Sequence, residues 1–192
     1  MMSIRNSDSS VEERILAAAA DCVLTHGVER VTMTEIARRA RVSRPTIYRR
    51  WSDVRFVLAE LLTTRIAGVL DEVPETGASR EATVARVIAV ARHVRSDDVV
   101  MAVIRDAPTI AMTYIADRLG TSQQILIDAL AGAIEAGQRD GSVRCGDPQG
   151  MAAMCLLITQ STIQSAQMVD HLLDADALDA ELQRALSGYL KP

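Results

Sequence analysis

Apolar residues recur at helical spacing along nearly the whole chain, and no stretch alternates apolar and polar residues between hairpin turns. The pattern therefore predicts an all-α protein of about nine helices. Ser10 and Glu13 form a capping box that opens a first helix. Its Ile15, Leu16, Ala19 and Val23 share one face, and His26-Gly27 marks its end. Thr32 and Glu35 make a second box, followed by Ile36, Ala37 and Ala40 on one side. Arg41 and Val42 break the pattern. Ser43 then caps a third helix, with Pro45 in its first turn, where a missing amide costs nothing. Ile47 and Trp51, four residues apart, give this helix its buried stripe. Ser52 or Asp53 starts a fourth helix with Phe56, Leu58, Leu61, Leu62 and Ile66 along it.

The polar run PETGAS at 74–79 is the clearest boundary in the chain. It separates a flexible arm (1–9) and a three-helix unit with its connecting helix (10–72) from a helical body (73–192). In the body the spacing predicts helices over 80–95, 99–106, 109–139 with a break at Gly120, 148–173 and 176–190. Residues 151–168 are almost uncharged, so that helix is expected to be covered on most sides. One face meets its own subunit. Leu156, Ile163 and Gln167, with the stripe Leu178, Leu182, Leu186 and Tyr189 of the last helix, are expected to meet a second copy.

Charge changes this picture. The chain of 192 residues carries a net −4, but up to residue 70 it holds 11 basic and 8 acidic residues, against 10 and 17 after it. Over residues 30–55 the imbalance is sharper, with eight arginines facing only Glu35 and Asp53. A solvated helix normally interleaves the two signs, so this concentration points to a polyanion. At about 100° per residue, burying Ile47 and Trp51 turns Pro45, Thr46, Tyr48 and Arg49 outward, flanked by Arg44 and Arg50. Arginines hold phosphates or guanine edges, Thr46 and Tyr48 offer hydroxyls, and Pro45 is slim enough to approach a base. The amide-rich start of the helix adds donors for the DNA backbone.

Taken together, the HG turn at 26–27, the TxxxIA helix from Thr32, Val42-Ser43 and the TxYRxW run from Thr46 to Trp51 resemble the DNA-binding domain of the TetR family of transcriptional regulators. The likeness spans 13–62. It implies DNA contacts at Thr32, Ser43, Arg44, Pro45, Thr46, Tyr48, Arg49, Arg50 and Arg55. Two positions depart from the family pattern. Arg41 stands where glycine is usual, and a left-handed backbone there costs about 1 to 2 kcal/mol; either the turn is reshaped or Arg41 reaches phosphate. Val54 replaces a phosphate-gripping lysine, with Arg55 one step away.

The resemblance also implies a homodimer that reads a palindromic double-stranded DNA operator and releases it when a small molecule enters the body. One recognition helix reads few base pairs, and two copies suit half-sites about 34 to 36 Å apart or more. Met101, Ile104, Met112, Ile115, Leu126, Met154, Leu157 and Ile158 are the candidate apolar lining, with His93, Tyr114, Thr159 and Gln160 as polar handles. Methionine-rich lining favours a hydrophobic effector.

No cofactor or metal is expected. Cys22, Cys145 and Cys155 are odd in number and lack CxxC spacing, and phosphate-loop, HExxH and GxSxG patterns are absent. The first residues carry no apolar run, and ILAAAADCVL is broken by Asp21, so a cytoplasmic location without membrane segment is expected. The alternatives are a thiol-based redox regulator using Cys145 or Cys155 and an enzyme built on the helical scaffold.

Overall fold

No glycine or proline interrupts residues 3–26, and once a helix is nucleated each further residue adds a backbone hydrogen bond. The chain accordingly forms one long helix, α1 (Ser3–His26). The expected arm at 1–9 is thus helical from Ser3, and Ser10 lies inside the helix rather than capping it. The structure is a computed structural model that describes residues 3–106 and 121–192, with the backbone alone at 3–10 and 121–122. All its regular elements are helical among the described residues.

Gly27, at a φ of 77°, ends α1, and a short 3-10 turn (Val28–Arg30) leads into α2 (Met33–Arg39) and α3 (Arg44–Tyr48). Helix α4 (Val54–Glu72) follows, with the Asp53 carboxylate accepting the Arg55 amide at 2.7 Å. α1 packs on α2, and α2 on α3. The core of this head contains Ile15, Val23, Ile36, Ile47, Trp51 and Leu58, each at most 3% exposed. Each large apolar side chain buried this way contributes about 1.5 to 3 kcal/mol.

Compactness divides the chain into two units, and the division is not a single cut at 72/73. One unit holds the residues up to Arg65 together with α6 (Asp98–Asp106); the other holds Ile66–Ser96 and the described residues from Thr121 to the end of the chain. α6 joins the head for two reasons. Its Val99, Val100 and Val103 are buried, and it packs on α1. In addition, Asp97 accepts the amides of Val99 (2.9 Å) and Val100 (3.1 Å) while binding Arg65 of α4 at 2.6 Å.

The second unit is built from α5 (Arg80–Ser96), α7 (Thr121–Arg139), α8 (Pro148–Ser165) and α9 (Ala175–Leu190). Aspartates cap the last two, Asp147 receiving the Gly150 amide and Asp174 the Ala177 amide. α7 packs on α8, and α9 on both α5 and α8. Asp179 of α9, 4% exposed, binds Arg92 and Arg95 of α5.

Two expectations about this unit are corrected. α8 stops at Ser165, eight residues short of 173, because nothing between 164 and 173 is buried and the helix gains no core contact there. The stripe Leu178, Leu182 and Leu186 faces inward, as does Ile163, all at 8% exposure or less. These residues form the unit's own core and are closed to a second copy. Leu156 and Tyr189 are half-buried, the Tyr189 ring lying 4.7 Å beneath the Arg144 guanidinium, and Gln167 is exposed.

Candidate nucleic-acid interface

Two hydroxyls start the two short helices. Thr32 accepts the Glu35 amide at 3.2 Å, and Ser43 accepts the Thr46 amide at 3.2 Å. The return half of the Thr32–Glu35 capping box is not made. The Glu35 carboxylate instead takes Arg38 at 2.6 and 2.8 Å and Arg39 at 2.9 Å. Those hydrogen bonds, from Arg38 first and Arg39 second, hold Glu35 down to a pKa of about 2. Arg39 continues to α1, donating to Thr25 Oγ1 (3.2 Å) and His26 Nε2 (2.8 Å). A guanidinium only donates, so Nε2 is the acceptor there.

α3 is fixed from beneath by Ile47 and Trp51. Its outer side presents Arg44, Pro45, Tyr48 and Arg49 to solvent, with Tyr48 51% exposed. Thr46 is half-buried, and its hydroxyl lies 2.7 Å from that of Ser43, so it serves the cap first.

Arg50 and Arg55, expected to contact DNA, are both engaged by carboxylates of the chain itself. Arg50 binds Glu12 of α1 at 2.5 Å and Glu60 of α4 at 3.0 Å, with its guanidinium 5.4 Å from the Trp51 ring centre. Glu60 also accepts the Trp51 indole N–H at 2.7 Å. Burial and then the neighbouring Glu60 raise the pKa of Glu12. Burial also pushes Glu60 up, but hydrogen bonds from Glu12, Arg50 and Trp51 outweigh it and leave Glu60 below its ordinary value. This cluster ties the end of the recognition helix to α1 and α4. Nothing in the sequence reading singled out Glu12 or Glu60; the available signal was a lone acid in the apolar run LAELL. Arg55 closes locally on Asp53 at 2.8 Å.

The eight arginines over 30–55 therefore fall into two groups. Arg30 donates to the His26 carbonyl, and Arg38, Arg39, Arg50 and Arg55 hold carboxylates. Arg41, Arg44 and Arg49 are exposed, and their side chains have no hydrogen bond or ion pair among the described residues. Arg41 does take the left-handed backbone, at a φ of 55°.

The candidate effector residues divide between the two units. Met101 and Ile104 lie half-buried on α6, in the first unit. In the second, Leu126 and Ile158 are half-buried, and Thr159 is buried with its hydroxyl donating to the Cys155 carbonyl at 2.8 Å. Gln160 accepts from Gln123 at 2.9 Å. His93 is exposed, its Nδ1 2.9 Å from the Ala89 carbonyl of its own helix, so the fold does not present it as a pocket handle. Met154 and Leu157 are 43% and 58% exposed, on the side of α8 away from its buried Met151, Cys155 and Thr159. Met112, Tyr114 and Ile115 lie outside the described residues.

Burial pushes the Cys155 thiol up to about 11 and also raises Cys22, the opposite of what thiolate chemistry asks for. Cys145 is exposed. No group of three metal-binding side chains comes together, and no helix is long and apolar enough to cross a membrane, among the described residues.

The model of "Bacterial regulatory proteins, tetR family" matches residues 15–60, which covers the second half of α1, α2, α3 and the start of α4. An uncharacterized HTH-type transcriptional regulator of Mycobacterium bovis, Mb2274c, is 54% identical over 190 residues, covering 99% of this chain and 100% of its own. The fold is similar to that of RolR in complex with resorcinol, with a TM-score of 0.71 at 16% identity over 97% of this chain and 90% of the other. It is also similar to that of Thermus thermophilus FadR, a repressor in complex with lauroyl-CoA, with a TM-score of 0.68 at 21% identity over 93% and 92%. A relative matched from end to end, a helix-turn-helix whose caps and buried stripe fall on the motif, and an exposed cationic recognition helix together place the chain in the TetR family of DNA-binding transcriptional regulators.

Proposed function

We propose that the protein is a ligand-responsive repressor that binds a palindromic operator as a homodimer, with α3 in the major groove. The observation that carries the reading is the outer face of α3. Arg44, Pro45, Tyr48 and Arg49 stand exposed, and both arginines lack an internal partner, on a helix held by Ile47 and Trp51. Unpaired guanidinium groups meet phosphates or guanine edges without first breaking an ion pair. Ser43 and Thr32 then serve mainly as caps that set the two helices, and Arg50 sets the end of α3.

The dimer is assigned to the outer side of α8. Met154 and Leu157 are exposed there, and Met168 and Leu172, at 76% and 72%, follow past its end. Several large apolar side chains left open in one region favour a protein contact. The effector belongs to the second unit and is small and largely apolar. Half-buried Leu126 and Ile158 beside the Gln123–Gln160 pair would supply apolar surface and one polar handle. The likeness to folds that hold resorcinol and lauroyl-CoA supports a small-molecule ligand without choosing between such chemistries. Such a ligand releases DNA only as far as it prefers the non-binding shape.

The test is selection of DNA from a random pool by the purified protein, followed by titration of the selected duplex. Arg44→Ala and Tyr48→Ala are expected to weaken binding, Arg44→Ala by about 1 to 3 kcal/mol if it reads a base, while sedimentation still shows a dimer. Unchanged affinity in both variants sinks the assignment of α3. Leu157→Arg is expected to yield a monomer; a dimer that survives it places the contact elsewhere.

A further inference from the structure

Arg41 occupies a backbone conformation that its side chain makes costly. Among the described residues it is the one non-glycine with positive φ, at 55°, and the other positive values belong to Gly27, Gly77 and Gly141. An L side chain in this region crowds its own backbone, and glycine does not. The turn itself asks for nothing that glycine lacks. It closes through the Val42 amide to the Ala37 carbonyl at 3.0 Å and the Arg41 amide to the Arg38 carbonyl at 3.3 Å, both main-chain bonds.

The fold does not use the side chain either. Arg41 is exposed and its guanidinium has no hydrogen bond or ion pair, whereas its neighbours Arg38 and Arg39 are both fastened to Glu35. A residue that strains the backbone and whose exposed side chain pairs with nothing is unexplained by stability. Its position is informative: it stands in the turn between α2 and α3, three residues before Arg44. In a helix-turn-helix the first helix crosses the DNA backbone and the start of the second enters the groove, so the turn between them travels close to phosphate.

We propose that Arg41 is a phosphate contact of the DNA interface, made from the turn, and that with Arg44 and Arg49 it completes a set of three unpaired guanidinium groups. The proposal rests on the DNA-binding reading above. A phosphate contact positions the protein without reading sequence. Its loss therefore weakens operator and unrelated duplex alike and lowers the salt dependence of binding, by about 0.9 in the slope of log K against log salt for each phosphate released.

The experiment compares the wild-type chain with Arg41→Gly, Arg41→Lys and Arg44→Ala, using the duplex selected by the wild type and a scrambled duplex of equal length. Arg41→Gly is expected to raise the thermal midpoint, because the strain is gone. It is also expected to weaken binding to both duplexes by a similar factor, roughly tenfold at low salt, with a shallower salt slope. Arg41→Lys keeps charge and strain, and should retain the wild-type slope and midpoint. If Arg41→Gly binds as the wild type does while Arg44→Ala is impaired, Arg41 is idle and the proposal falls alone. A lowered midpoint in Arg41→Gly overturns it in favour of a structural role. If the wild type selects no duplex, or Arg44→Ala and Tyr48→Ala both bind unchanged, the DNA-binding assignment of α3 fails and this proposal fails with it.

Discussion

Arginine does opposite work in α3 and in the helical body. On α3 and the turn before it, Arg41, Arg44 and Arg49 face solvent with no internal partner. In the body, Arg92 and Arg95 converge from α5 on Asp179, which is 4% exposed and sits on α9. The same side chain is spent as a fastener in one place and kept available in the other. What separates the two uses is whether a carboxylate was placed within reach. A buried partner holds helices together, and its absence leaves a cation whose charge must be met from outside.

The body supplies the largest expected effect. Asp179→Ala leaves Arg95, whose side chain is only 13% exposed, without its carboxylate, and should cost about 3 to 5 kcal/mol of stability. Urea denaturation followed by circular dichroism measures it. Arg95→Met is expected to cost less than Asp179→Ala, since Asp179 keeps its ion pair with Arg92 and methionine fills similar space. A mild Asp179→Ala would mean that the body's arginines are as dispensable to the fold as those of α3, and the contrast would collapse.

A smaller effect tests where the line runs inside the head. Arg50 stands next to α3, yet it is held by Glu12 and Glu60. Arg50→Ala should therefore lower stability while leaving the salt slope of DNA binding near the wild-type value, the reverse of Arg41→Gly. Trp51→Phe keeps the ring but removes the N–H that Glu60 accepts at 2.7 Å. Its expected cost is about 1.5 kcal/mol, the low end for a hydrogen bond to a charged group, because Glu60 is one-third exposed. A steep loss of slope in Arg50→Ala would move Arg50 back among the DNA contacts.

These residues also show how far sequence reading reaches. Ser43, Pro45, Ile47 and Trp51 lie within nine residues of one another, and cap and buried stripe are decided by local spacing, so α3 could be placed from its own letters. The left-handed turn at Arg41 was legible for the same reason. Arg50 was not, because the carboxylates that capture it lie 38 and 10 residues away and outward spacing says nothing of them. The body failed in the same way. Leu178, Leu182 and Leu186 form a clean helical stripe, but a stripe does not say whether its cover is α5 and α8 of its own chain or a second copy. α8 posed the complementary difficulty: with little charge on any side, Met154 and Leu157 could not be told from buried Met151 and Cys155.

The smallest expected effect lies in α2, where arginine is fastened at the surface. Glu35 holds Arg38 and Arg39 and has a folded pKa of about 2 against an ordinary 4.5, owing first to the hydrogen bonds from Arg38 and then to those from Arg39. A carboxylate with a lowered folded pKa binds fewer protons when folded, so its stabilising share is complete above about pH 4.5 and is lost as the pH falls toward 2. Glu35→Gln carries no such dependence. The difference in denaturation midpoint between wild type and Glu35→Gln should thus shrink as the solution is acidified through that window. Taking the difference cancels the contribution of Glu12, whose raised pKa works in the opposite sense. The gap should also narrow in high salt, because the Arg38 side of the Glu35 cluster is open to solvent and ions screen it, whereas the deficit of Asp179→Ala should persist. A gap at Glu35 that ignored both acid and salt would show that Arg39 is positioned by α1 through Thr25 and His26 rather than by the carboxylate.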